Sequence, residues 1–172
     1  MGQAALDELS RDRTVDAGGV VVWLGGPSGA MKSSLAETLR REFIRKGYLC
    51  AALDGAVVEH AIVPPHGDAP EGRRAFHETL ARLAAMLCDQ GQVVIVAATD
   101  NDFAYRKAAR DIATRFLEVR VDAGDAPNGA LNLRLPGFDH EDRLPRPDIV
   151  ARHGQDGAAI VNIVNMVARW AC

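Results

Sequence analysis

The sequence predicts an α/β fold: a doubly wound, mostly parallel sheet with helices on both faces. Two observations carry this. Short apolar runs of β-type residues at 20–24, 48–54, 92–99 and 116–122 alternate with stretches of helical period. The third run, QVVIVAAT, is apolar without alternation, the pattern of a strand buried on both faces. A chain of 172 residues is long enough to bury a core of its own. One domain is expected over residues 19–172, behind an N-terminal extension or linker, 1–18.

The first strand runs into VVWLGGPSGAMKSSLA, residues 21–36, where glycines and small residues interrupt it before helical spacing resumes at Leu35, Leu39 and Phe43. Strand, tight loop and helix in that order are the setting of a phosphate-binding P-loop. A helix N-terminus leaves backbone N–H groups unpaired and carries partial positive charge, so it cradles phosphate oxygens. The candidate cradle is Gly26, Pro27, Ser28, Gly29, Ala30, Met31, Lys32, Ser33 and Ser34. Lys32 is expected to reach the β/γ-phosphates and the Ser33 hydroxyl to hold a magnesium ion. Against G-x-x-x-x-G-K-[ST], Met31 stands where a glycine is expected. A positive φ there would cost about 1–2 kcal/mol, and the Met31 Cβ would crowd the approach of backbone to phosphate. The alternative is a glycine-rich turn that serves packing alone.

The helix after the loop is expected over 33–46, stopped by Gly47. The second strand, YLCAALD, ends at Asp54, at a strand's carboxyl end, where open α/β sheets place their ligands. A short helix is expected at 57–62, followed by the polar loop IVPPHGDAPEG. Phe76, Leu80, Leu83 and Leu87 mark an amphipathic helix over 73–90. Strand three, a helix over about 102–114 and strand four, FLEVRVD, complete a second repeat. Residues 123–147 are rich in Gly, Pro and Asp and read as a long lid-like loop. Ile149 and Val150 then lead to a final helix with Ile160, Ile163, Val164 and Val167 on one stripe. Trp23, on the first strand, reads as core.

Charge is nearly balanced at −3, which gives no support to nucleic-acid or anionic-membrane binding. Cys50, Cys88 and Cys172 are scattered, with no C-x-x-C pair, and read as free thiols in a reducing, cytoplasmic setting. No apolar run approaches the length needed to span a bilayer, and no signal-peptide pattern opens the chain. The five histidines, His60, His66, His77, His140 and His153, show no metal-ligand spacing and read as surface or loop residues.

Taken together, VVWLGGPSGAMKSSLA, LDG at 53–55, LAAMLCDQG followed by VVIVAAT, Tyr105-Arg106 with Ala109-Arg110, FLEVRVD, and PGFD with PDIV resemble adenylylsulfate kinase, over most of residues 19–150. The resemblance implies a P-loop sheet of the nucleoside-kinase type, ATP with Mg2+ as phosphoryl donor, a small-molecule hydroxyl as acceptor and a pocket opposite the P-loop under a lid. Three features depart from the family. Met31 replaces glycine; Ala56-Val57-Val58-Glu59 stands where the family has Asp-Asn-Val-Arg; and the Lys-Gly-Leu-Tyr lid motif is missing. An anionic acceptor would meet Glu59 instead of arginine.

Lys32 and Asp54 are the candidate catalytic residues, and Ser33 and Asp54 the candidate metal ligands, because phosphoryl transfer needs charge neutralisation and positioning more than covalent chemistry. Asp54 would alternatively cap the following helix. Candidate substrate-binding residues are Asp54, Arg73, Arg74, Arg106, Arg110 and Phe138; Arg106 and Arg110 lie one helical turn apart on one face. Asp100 is a candidate Walker-B-like acid or, alternatively, a cap or turn residue, and Arg134 and Arg143 are lid residues able to close on phosphate. Two readings follow: a small-molecule kinase with a diverged acceptor site, or a non-catalytic nucleotide-binding or partner-binding protein on the same fold. A homodimer is left open.

Overall fold

The computed structural model describes residues 18–27, 30–62, 69–99, 102–122 and 146–170. Five strands, β1 (Val20–Gly25), β2 (Cys50–Asp54), β3 (Val93–Ala97), β4 (Phe116–Val121) and β5 (Ile149–Ala151), form one sheet in the order β2-β3-β1-β4-β5. Every pairing is parallel. The helices are α1 (Lys32–Arg45), α2 (Gly55–Ala61), α3 (Pro70–Asp89), α4 (Phe103–Ile112) and α5 (Gly157–Trp170). This is the expected doubly wound α/β arrangement, with the first strand at the centre of the sheet.

Strand alternation divides the core into two layers. Val20, Val22 and Leu24 pack with Leu35, Leu39 and Phe43 of α1 and with Ile163, Val164 and Val167 of α5. Val21 and Trp23 face the other way, onto Phe76, Leu80 and Ala84 of α3 and Ala109 of α4. Trp23 is fully buried, its ring 6.1 Å from that of Phe116, so it is core as expected.

The helix ends follow from local chemistry. Gly47 (φ 88) lets the Tyr48 N–H reach the Phe43 carbonyl and its own N–H the Ile44 carbonyl, and Gly91 (φ 80) repeats the pattern with Leu87 and Cys88. Tyr48 is thereby used to close α1, and β2 begins at Cys50 rather than at 48. The third helix starts at Pro70, earlier than expected, because proline at N1 needs no N–H partner. Its buried face runs through His77, Ala81, Ala84 and Cys88 as well as Phe76 and Leu80.

The last helix is anchored by Asp156. Its Oδ1 accepts from the N–H groups of Ala158 and Ala159, each at 3.1 Å, and its Oδ2 from that of Arg152 at 3.0 Å. These backbone donors, Arg152 foremost, hold the carboxyl below its usual range. A lowered folded value means the cap stabilises above the ordinary aspartate range and is lost as pH falls through the lowered value. Asp156→Ala is expected to cost about 1 kcal/mol at neutral pH and less in acid, as read by urea denaturation at pH 7 and pH 3.

Candidate functional site

The P-loop begins where β1 ends. Gly26 has φ +144, and a Cβ there would lie 2.1 Å from the Val121 carbonyl oxygen, so only glycine lets the chain leave the sheet beside β4. Met31 then takes the N-cap position of α1 in left-handed conformation, φ 58 and ψ 35, and offers no side-chain cap. The positive φ anticipated for this position is therefore real and is borne by a methionine. Beyond it, helix geometry leaves the Ser33 and Ser34 N–H groups without intrahelical acceptors, and the side chain of Ser33 is exposed at the first turn. Lys32 Nζ donates to the carbonyl oxygens of Gly26 (2.8 Å) and Pro27 (2.9 Å), holding the ammonium across the mouth of the loop.

Met31→Gly is expected to relieve the left-handed strain, offset in part by glycine's greater unfolded-state freedom. The balance is a stabilisation of about 0.5–1 kcal/mol. A urea midpoint that rises with unchanged slope would record it.

The strand register sets the rest of the site. Leu24 of β1 pairs with Ala97 of β3, and Ala97 with Asp54 of β2. Asp54 therefore stands two strand spacings, about 10 Å, from the start of the loop, at the same carboxyl edge. Its Oδ1 accepts from the N–H groups of Ala56 (3.0 Å) and Val57 (3.4 Å), so it caps α2. The cap uses one oxygen. Gly55 is buried, and a Cβ on it would come within 2.9 Å of the Ala97 carbonyl oxygen and 3.0 Å of Thr99 Cγ2. Glycine is thus required for α2 to turn over the end of β3.

The arginines divide. Arg73 and Arg74 lie exposed in the first turns of α3, and Arg74 pairs with Glu78 at 3.3 Å. Arg106 and Arg110, expected to present one face to phosphate, instead face the sheet. Arg106 is 7 % exposed and its Nη1 lies 2.6 Å from Glu118 Oε1; Arg110 Nη2 lies 2.9 Å from Glu118 Oε2 and 3.4 Å from Asp148 Oδ2. Asp148 also accepts from the Glu118 N–H at 2.8 Å. Both arginines thus tie α4 to β4, and the physical reason is the buried acid on the strand beneath them.

Ser28, Gly29, Asp100, Arg134, Phe138, Arg143 and the lid-like segment 123–145 lie outside the described residues. Among the described residues, no three His, Cys, Asp or Glu side chains gather as a metal-binding group, and no helix is long and apolar enough to cross a membrane. Burial pushes the Cys50 thiol up to about 11 and also raises Cys88, so neither is a ready nucleophile.

Sequence reasoning passed over Thr99 and Gly154 on this edge and placed His77 at the surface or in a loop, which the structure corrects because its helix packs that face against the sheet. His77 is buried in α3, its ring stacked on Tyr105 at 4.2 Å and its Nε2 3.5 Å from Thr99 Oγ1. Gly154, in the β5–α5 turn, lies so close to the P-loop that a Cβ on it would fall 2.5 Å from the Met31 carbonyl oxygen. The helical period put His77 beside Phe76, but only the tertiary fold could place Thr99 and Gly154.

The sequence profile of the family described as "Adenylylsulphate kinase" matches residues 18–128. The adenylyl-sulfate kinase of Paraburkholderia xenovorans is 38% identical over 108 residues, which are 62% of this chain and 60% of that protein. A probable adenylyl-sulfate kinase of Pyrococcus abyssi is 33% identical over 105 residues, 61% of this chain and 60% of the relative. The chain thus spans about 60% of the length of the curated relatives it matches. Among solved structures, the APS kinase of Mycobacterium tuberculosis in complex with AMPPNP and APS superposes with a TM-score of 0.65 at 24% identity, over 88% of this chain and 96% of that one. A gluconokinase from Sinorhizobium meliloti gives a TM-score of 0.55 at 18% identity, over 90% and 94% of the two chains. At these identities the structural likeness establishes the fold.

Proposed function

The chain belongs to the adenylylsulphate kinase family, and from that premise we propose that it is an ATP-dependent phosphotransferase that moves the γ-phosphoryl group to a hydroxyl of a small molecule. The observation that carries the reading is the pairing of a lysine-bearing loop at a helix N-terminus with a carboxylate about 10 Å away on the same sheet edge. The residues present fit the nucleotide. Gly26 lets the loop leave the sheet where a Cβ would strike the Val121 carbonyl oxygen, and among the described residues Met31 at the N-cap leaves the N–H groups of the helix start without a side-chain cap.

In this reading Lys32 gives up its two carbonyl partners to bind the terminal phosphates as a point charge. The Ser33 and Ser34 amides hold phosphate oxygens, and the Ser33 hydroxyl takes the metal. Bound Mg2+–ATP supplies the transferable group and neutralises charge on its oxygens. Asp54 orients the acceptor hydroxyl with the oxygen its cap leaves over, or reaches the metal through water. Arg73, exposed at the start of α3, is assigned to an anionic acceptor. We take the domain as residues 19–172, acting in the cytoplasm on small molecules.

A coupled ADP-release assay with adenylyl sulfate and a panel of hydroxyl metabolites tests the reading. Calorimetry with Mg2+–ATP accompanies it. Acceptor-dependent ADP formation is the expected result. Nucleotide binding without turnover of any acceptor would favour a non-catalytic nucleotide-binding role, for which the strained Met31 and the absence of a cation at Ala56–Glu59 are the motive. Asp54→Asn separates the two uses of that residue. Asparagine caps as well as aspartate, so stability should hold within about 0.5 kcal/mol while turnover falls about 10²-fold or more.

A further inference from the structure

We propose that Thr99 is an acceptor-binding residue and that His77 is the positioning residue that sets its hydroxyl, so that Thr99 Oγ1 offers lone pairs to a hydroxyl hydrogen of the phosphoryl acceptor. The inference rests on the kinase reading above and deepens it. His77 is 2 % exposed, and its Nδ1 lies 2.8 Å from the Arg73 carbonyl oxygen. A carbonyl can only accept, so Nδ1 carries the proton, and in the neutral ring Nε2 is left as an acceptor. Nε2 lies 3.5 Å from Thr99 Oγ1. In that pair only the threonine can donate.

Thr99 therefore turns its O–H inward to the imidazole and keeps its lone pairs for the solvent side, to which it is exposed. The imidazole is held in place, stacked on Tyr105 with 8° between the planes and edge-on to Phe76 at 5.2 Å. Thr99 stands two residues past Ala97, which pairs with Asp54, and its methyl abuts Gly55. The Asp54 carboxylate likewise only accepts. Two hydrogen-bond acceptors thus stand on neighbouring strand ends of one sheet edge, which suits a ligand with neighbouring hydroxyl groups, as on a sugar or polyol. A phosphate or sulfate oxygen, itself an acceptor, gains nothing there.

Steady-state kinetics at saturating Mg2+–ATP test this, with adenylyl sulfate or the best acceptor of the panel as the varied substrate. Thr99→Val and His77→Leu are each expected to raise the acceptor KM about tenfold with kcat little changed, the signature of lost ground-state binding. His77→Gln, whose amide oxygen can replace Nε2 as an acceptor, should stay within about twofold of the parent. The double variant should be no worse than Thr99→Val alone. An unchanged KM in Thr99→Val, or additive effects in the double variant, overturns the proposal. Thr99 is exposed, so Thr99→Val remains informative even if His77→Leu unfolds.

Absence of turnover in the parent chain defeats the kinase reading first, and with it the acceptor role of Thr99. The hydroxyl orientation is then decided separately by NMR of ¹⁵N-histidine-labelled protein. The Nδ1–H tautomer at His77, with an Nε2 resonance that moves in Thr99→Val, upholds it; an Nε2–H tautomer overturns it.

Discussion

Lys32→Ala should lower kcat/KM for phosphoryl transfer by about 10²–10³-fold, the usual consequence of deleting one donor aimed at developing charge. Stability should fall far less. The side chain donates to the carbonyls of Gly26 and Pro27, and Pro27 lies at the exposed mouth of the loop. Water replaces the lysine there, at a cost of about 1 kcal/mol. The separation of the two effects is the informative outcome. Turnover assays beside urea denaturation measure it, and a variant with parental ATP affinity by calorimetry would remove Lys32 from the site.

Glu118→Ala should destabilise the chain by about 3–5 kcal/mol, the range for removing one partner from a buried ion pair. The acid is 5 % exposed and faces Arg106, which is 7 % exposed. Its loss takes a carboxylate from that buried guanidinium, and it also removes one of the two carboxylates that meet Arg110, which lies over the Phe116 ring at 5.0 Å. Because the pair is buried, salt should screen the effect little. Replacing both partners, Glu118→Leu with Arg106→Leu, should recover most of the loss, since apolar pairs of similar volume are commonly as stable as the ions they replace. Denaturant midpoints of the two single variants and the double variant decide the matter. If the double variant falls as far as the sum of the singles, the two charges are not a coupled pair.

The first four strands were legible because each is a compact run of β-type residues, whereas β5, three residues long, was not; the end of α1 was legible because glycine at 47 has a single conformational use there. Pro70 was counted with the polar loop before it, although its N1 preference marks a helix start. The face of α3 was misjudged for a related reason. Leu83 and Leu87 look like core by size but are half-buried, whereas Ala81 and Ala84 are buried, because small residues let a helix approach a sheet closely. Spacing could show that Arg106 and Arg110 share a face, but not which way it points. The clue was Glu118, an acid at the same parity as Phe116, on the face that α4 covers. Strand order, and with it the contact of Thr99 with Gly55, is a tertiary property that no local period encodes.

The contact between Gly154 and Met31 makes the turn after the last strand a wall of the loop between β1 and α1. Bulk added at 154 meets main chain, the Met31 carbonyl oxygen, as well as side chain, so no rotamer change at 31 could absorb it. A segment distant in sequence thereby polices the dihedral angles at the mouth of the loop, and variation at 154 would register first in how firmly the amides of the neighbouring helix are aimed.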